Sequence, residues 1–160
     1  MLSEEQFYDK AKHFFLLKDT EGKYYIYKFR AYGTRGTKEG FYEIDMDMAE
    51  HLADANLFMV ANVNGLLLYA HGSTLYMYDF VYKRLLKKDM GAEITCLENE
   101  FASASSRYSF VVATYSDSEK GIVRKFDVGS DVNTLEIVDR PKEVWHTRLR
   151  IKDVEWKRAY

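Results

Sequence analysis

Leu66-Leu67-Leu68-Tyr69-Ala70-His71-Gly72-Ser73-Thr74-Leu75-Tyr76-Met77-Tyr78-Asp79 is the stretch on which the fold of this chain turns. Two apolar runs rich in leucine and aromatic residues flank a short turn around Ala70-His71-Gly72-Ser73, where glycine tolerates a positive φ, and such a pattern reads as a β-hairpin. The plan occurs twice more. Tyr24-Tyr25-Ile26-Tyr27-Lys28-Phe29 leads to Phe41-Tyr42-Glu43-Ile44-Asp45, and Phe110-Val111-Val112-Ala113-Thr114 leads to Ile122-Val123-Arg124-Lys125-Phe126-Asp127. Hairpins repeated at roughly 35 to 50 residues are what stacked or radially arranged sheets produce. The expected fold is therefore all-β: a propeller-like array of about three antiparallel β-meander blades plus a terminal strand, with a short N-terminal helix.

Working outward, the strand signals continue on both sides of the central hairpin. Leu57 to Val60 and Arg84 to Lys88 complete one four-stranded meander, and Asn62-Val63-Asn64-Gly65 supplies a turn. Ile94 to Leu97, Phe110 to Thr114, Ile122 to Asp127 and Leu135 to Val138 form the next, with Ser116 to Gly121 as a hairpin tip and Ala102 to Ser106 as a small, polar loop. Pro141 then introduces Trp145 and a last alternating strand, Leu149 to Trp156.

Upstream, Asp19-Thr20-Glu21-Gly22 is a turn between two apolar runs, and Ala31 to Gly40, with Gly33, Gly36 and Gly40, reads as a loop. Ser3-Glu4-Glu5-Gln6 has the form of a capping box for a helix over about the first ten residues. Phe14-Phe15-Leu16-Leu17 fits the continuation of that helix or the start of a buried strand. A second helical candidate is Asp45 to Asp54, whose Met46, Met48, Ala49, Leu52 and Ala53 can coat one side of two short turns.

Length and composition bound what the chain can do. At 160 residues it supports one domain, 1–160, with a substantial core. The 13 Tyr and 10 Phe favour pleated surfaces, where flat rings pack across neighbouring strands. A net charge of -2 with interspersed signs gives no field to attract a nucleic-acid backbone or an anionic membrane, so neither is an expected partner. A single cysteine, Cys96, excludes an internal disulfide, and its place in an alternating run makes it a core residue. No apolar stretch approaches the ~20 residues of a membrane span, and Met1-Leu2-Ser3-Glu4-Glu5 is too acidic to open a signal peptide.

Reactive constellations do not stand out. His13, His51, His71 and His146 lack the spacing of a metal site, and Asp45-Met46-Asp47 offers two carboxylates where a hard cation needs several more oxygens. Asp45, Asp79 and Asp127 end equivalent strands, where a short carboxylate can accept backbone N–H bonds from the following turn. No Gly-x-Ser-x-Gly elbow is present, and Cys96 has no histidine nearby in sequence. The expectation is a protein that is not an enzyme and takes no metal or cofactor. Aromatic residues beside glycines, serines or the proline, namely Tyr32, Tyr115 and Trp145, are the candidate binding residues, offering rings for stacking on a sugar or a protein surface.

Leu66 to Ala70 followed by Leu75 to Asp79, then Gly91 to Leu97, Val111 to Tyr115, Gly121 to Phe126, Trp145 and Val154-Glu155-Trp156-Lys157 resemble the C-terminal part of the PKD-like lipoproteins of Bacteroidetes. The resemblance implies a propeller-like region behind a lipid-anchored, PKD-like portion, often encoded beside outer-membrane glycan-import systems. It also implies a cell-envelope location, at the outer-membrane surface or in the periplasm, and a partner that is a glycan or another envelope protein. This chain departs from the pattern in having no lipobox cysteine and no PKD-like segment, and so resembles the last part of a longer protein. Three blades fall short of the about four to eight of an ordinary ring. Open blade edges are accordingly expected to need a neighbour, and self-association or protein docking through them is the alternative role.

Overall fold

The computed structural model describes residues 12–32, 35–60, 65–99, 108–130 and 133–154, without the side chains of 12–14, 29–32, 35–39, 59–60, 108 and 130. Among the described residues eleven strands form three antiparallel sheets, and none of these sheets closes on itself. β1 (Lys12–Lys18), β2 (Tyr24–Tyr32) and β3 (Arg35–Glu43) make a three-stranded sheet in chain order. β4 (Leu57–Val60), β5 (Leu66–His71), β6 (Thr74–Asp79) and β7 (Arg84–Asp89) make a four-stranded sheet, and β8 (Glu93–Asn99), β9 (Tyr108–Ser116), β10 (Lys120–Ser130) and β11 (Leu135–Thr147) make another. Hydrogen-bonded neighbours are always neighbours in the chain, so each sheet is a meander. The chain divides into two compact units, Met1–Glu50 and His51–Tyr160. The N-terminal helix expected over the first ten residues lies outside the described residues.

In the second unit the two four-stranded meanders pack face to face. Alternation along each strand sends Leu66, Leu68 and Ala70 of β5 and Leu75 and Met77 of β6 to one side, where they meet Ile94 and Leu97 of β8, Phe110 and Val112 of β9 and Phe126 of β10. The rings of Phe110 and Phe126 stack across their strand pair at 5.5 Å. β5 is buried on both faces, which is why its sequence is a continuous apolar run, Leu66 to Ala70, rather than an alternating one. On its other face Tyr69 stacks on its cross-strand partner Tyr76 at 4.9 Å. The β5–β6 turn is as tight as the sequence requires: His71 pairs with Thr74, and Gly72 takes φ +59 at the first central position.

The equivalent aspartates are anchors of the meanders. Asp79, fully buried at the end of β6, accepts the backbone N–H groups of Val81 and Tyr82 at 3.0 and 2.9 Å and is paired with Arg84 at 2.7 Å. It thereby ties the turn to the following strand. Asp45 accepts the Asp47 N–H at 3.1 Å in the same way. Asp127 differs: its partners are the Ser109 hydroxyl and Arg140, side chains of the two flanking strands.

Three expected elements are corrected. Ala31 to Gly40 is largely strand, because β3 begins at Arg35 and pairs with β2 as far as Tyr32↔Arg35. A backbone ladder needs no side chains, and β3 is an edge strand, so glycines that signal a loop are tolerated there; a register shift at Lys28/Phe29 absorbs one extra residue. Asp45 to Asp54 forms turns and a single 3-10 turn, Leu52–Asp54, with only Leu52 of that turn buried. Leu149 to Val154 is not a strand, and the remaining two residues of that expectation lie outside the described residues. Instead β11 runs through Pro141 to Thr147. It can do so because it is an edge strand and because the register slips there: Phe126 faces Asp139 and Arg124 faces Val144, so Arg140 to Glu143 bulge opposite Lys125. The bulge is stapled by Lys125–Glu143 at 3.1 Å and by Arg140 on Asp127.

Candidate functional site

The first sheet presents an apolar face. Registers Phe15↔Tyr27 and Leu17↔Tyr25 between β1 and β2, and Tyr27↔Phe41 between β2 and β3, place Phe15, Leu17, Tyr25, Tyr27 and Phe41 on one side. Phe15, Leu17 and Phe41 are 46%, 43% and 48% exposed, whereas Tyr24 and Ile26, of the opposite parity, are buried. The rings are ordered by one another: Phe41 stacks on Tyr25 at 4.9 Å and meets Tyr27 edge-on at 6.3 Å. The Tyr25 hydroxyl donates to Asp19 at 3.1 Å, and Asp19 also accepts the N–H groups of Glu21 and Lys23, so the β1–β2 turn and the aromatic face share one carboxylate. Burial and that bond push the Tyr25 hydroxyl up from its ordinary value; partial burial works to raise Asp19, but its hydrogen bonds prevail and hold it low.

Of the three sequence-predicted binding residues, Tyr32 lies in the first unit, and Tyr115 and Trp145 lie in the second. Tyr32 ends β2 in the first unit, opposite Arg35, and its side chain lies outside the description. Tyr115 and Trp145 share the outer face of the β8–β11 sheet, on strands that flank β10, facing Gly121 and Val123 respectively. Trp145 is 49% exposed. Tyr115 is covered: the Arg150 guanidinium lies over its ring at 5.6 Å and bonds the carboxylate of Glu93, the β8 partner of Tyr115. That bond holds the Glu93 carboxyl below its ordinary value.

Arg150 belongs to residues 148–154, which cross this outer face without joining a strand. Ile151 and Val154 pack on Cys96, Val111, Ala113 and Val123, and the Val154 amide meets the Cys96 sulfur. Burial pushes the Cys96 thiol up, with Glu98 and Asp153 adding to it, so the neutral thiol is the stable form. Gly121 is required beneath this crossing, because a β-carbon there would collide with the Leu149 carbonyl oxygen.

His51 and His71 stack in parallel at 4.8 Å. Among the described residues no group of three or more His, Cys, Asp and Glu side chains is arranged to hold a metal ion, and no helix is long and apolar enough to cross a membrane. No family model, curated protein or solved structure matches the chain.

The aromatic face escaped the sequence reading because its rings come from three strands. Tyr25 and Tyr27 alternate along one strand, but alternating aromatic residues on a strand are more often core. The available signal was parity: across the Asp19–Gly22 turn, Phe15 and Leu17 fall opposite Tyr27 and Tyr25.

Proposed function

We propose that this chain is a non-catalytic binding module that docks a protein partner on the face formed by Phe15, Leu17, Tyr25, Tyr27 and Phe41. The observation that carries this reading is the exposure of three large apolar side chains, each above two-fifths, on one face of one sheet. Contiguous apolar surface of that kind marks interaction sites, since single scattered hydrophobes do not align by register. The rings stack on each other, as Tyr25 and Phe41 do, so they present edges and aliphatic neighbours more than open planes. That suits protein side chains better than a sugar ring.

The resemblance to PKD-like lipoproteins makes the bacterial cell envelope the setting of this proposal, with another envelope protein as the partner. A propeller-like arrangement is part of it. Two successive four-stranded meanders packed face to face, with their first strands β4 and β8 close together, support that arrangement. A glycan partner is the second reading, favoured by the half-exposed Trp145.

A Phe15→Ser/Phe41→Ser double variant tests the docking reading. Co-purification from the producing cells should recover a defined protein with the parent chain and lose it with the variant, while circular dichroism stays unchanged. Retention of the same partner by the variant, or a glycan-array signal abolished by Trp145→Ala, would overturn it.

A further inference from the structure

We propose that the outer face of the β8–β11 sheet is a docking groove for an extended peptide, and that residues 148–154 fill it in cis as a displaceable strap. The peptide it takes carries a basic residue, an aliphatic residue immediately after it, and a second aliphatic three positions further on. This is the pattern of Arg150, Ile151 and Val154.

The floor of the groove is a row of small apolar side chains running straight across three strands. Cys96 faces Ala113, Ala113 faces Val123, and Val111 lies beside them. One end is a cation pocket, in which the Glu93 carboxylate and the Tyr115 ring, cross-strand neighbours, take the guanidinium together. Gly121 lets the strap backbone pass close at Leu149. Floor, pocket and clearance thus match the Ile151 and Val154 side chains, the Arg150 guanidinium and the Leu149 backbone in turn.

The attachments of the strap are of the kind that releases. Residues 148–154 add no strand to the sheet they cover. Leu149 is 71% exposed, and the Arg150–Glu93 pair is about half exposed at 44% and 50%, so water screens it. Ile151 and Val154 are its apolar anchors, and the Val154 amide meets the Cys96 sulfur. Segments with few buried contacts and no ladder open far more often than the sheet beneath them.

Cys96 is the reporter, since N-ethylmaleimide reaches its thiol only when the strap is off. Two variants of the full chain loosen the strap differently: Ile151→Ser removes an anchor, and Gly121→Ala pushes Leu149 away from below. Each is expected to raise the labelling rate about tenfold with cooperative unfolding retained. Each should also bind a fluorescent peptide Arg-Leu-Arg-Ile-Lys-Asp-Val, with saturating peptide restoring slow labelling. The peptide Arg-Leu-Glu-Ile-Lys-Asp-Val should do neither. Unchanged labelling in both variants, or faster labelling that the first peptide does not reverse, would overturn the proposal. If Ile151→Ser fails to fold, Gly121→Ala decides alone; if both fail, the strap is an integral part of the core and the proposal is wrong.

Discussion

Arg140 reaches back from the β11 bulge to Asp127, its Nε donating to one carboxylate oxygen at 2.6 Å while the Ser109 hydroxyl donates to the other at 2.6 Å. One buried carboxylate thereby joins β9, β10 and β11 and holds closed the bulge that lets proline enter the strand. Burial works to raise the Asp127 carboxyl, but Ser109, Arg140 and Lys125 outweigh it and hold the group below its ordinary value.

Asp127→Ala should lower unfolding stability by about 1–3 kcal/mol at neutral pH, the cost of leaving buried partners unsatisfied. The pH dependence has a definite sign. A folded carboxyl held low contributes stability above its unfolded value near ~3.9, and that contribution is lost as pH falls through the folded value. Urea unfolding from pH 7 to 3 should therefore show the gap between parent and variant narrowing only at the acid end.

Asp79 and Asp45 occupy the same place in the repeat, but Asp79 is fully buried and Asp45 is exposed. Asp79→Ala removes the buried carboxylate that bonds Arg84 and two turn N–H groups and should cost about 3–5 kcal/mol. Asp45→Ala should cost under about 1 kcal/mol. Equal effects on the denaturation midpoint would contradict the anchoring role assigned to the buried member.

The Cys96 thiol supplies an alkaline counterpart. A thiol pushed up on folding contributes stability that is full below its unfolded value near ~8.5 and is lost as pH rises through the folded value. Compared with Cys96→Ala, the parent chain should lose relative stability between pH 7 and pH 10. Chemical denaturation of both at each pH measures this as a converging difference.

On the first sheet, parity separates two kinds of aromatic and aliphatic position. Ile26 is fully buried, and Ile26→Ala should cost about 2–5 kcal/mol. Phe41 is half exposed and stacks on Tyr25, so Phe41→Ser should cost about 0.5–1.5 kcal/mol. Thermal unfolding of the two variants should rank them in that order, consistent with Phe41 serving a partner more than the core.

Strands β4 to β7 are legible in the sequence, since Leu57 to Val60, Leu66 to Ala70, Leu75 to Asp79 and Arg84 to Lys88 fall on them almost residue for residue. Tight turns and period-2 runs are local signals, and local signals survive translation into structure. Residues 35–40 and 149–154 were misread for a common reason. At Gly36 and Gly40 the partner strand supplies the order that composition does not, and at Ile151 and Val154 the spacing follows the groove beneath rather than a strand period.

Of the proposed sites, Trp145 and Tyr115 were chosen from their loop-like neighbours, and the fold put both on one face but covered Tyr115 with Arg150. Phe15, Leu17 and Phe41 went unselected, and the fold aligned them in the open. Residue order along a strand specifies which side chains alternate and where the chain turns back. Which face is then sealed depends on segments arriving from elsewhere, as Arg150 reaches Glu93 from far along the chain, and such long-range contacts leave no periodic trace in the residues they cover.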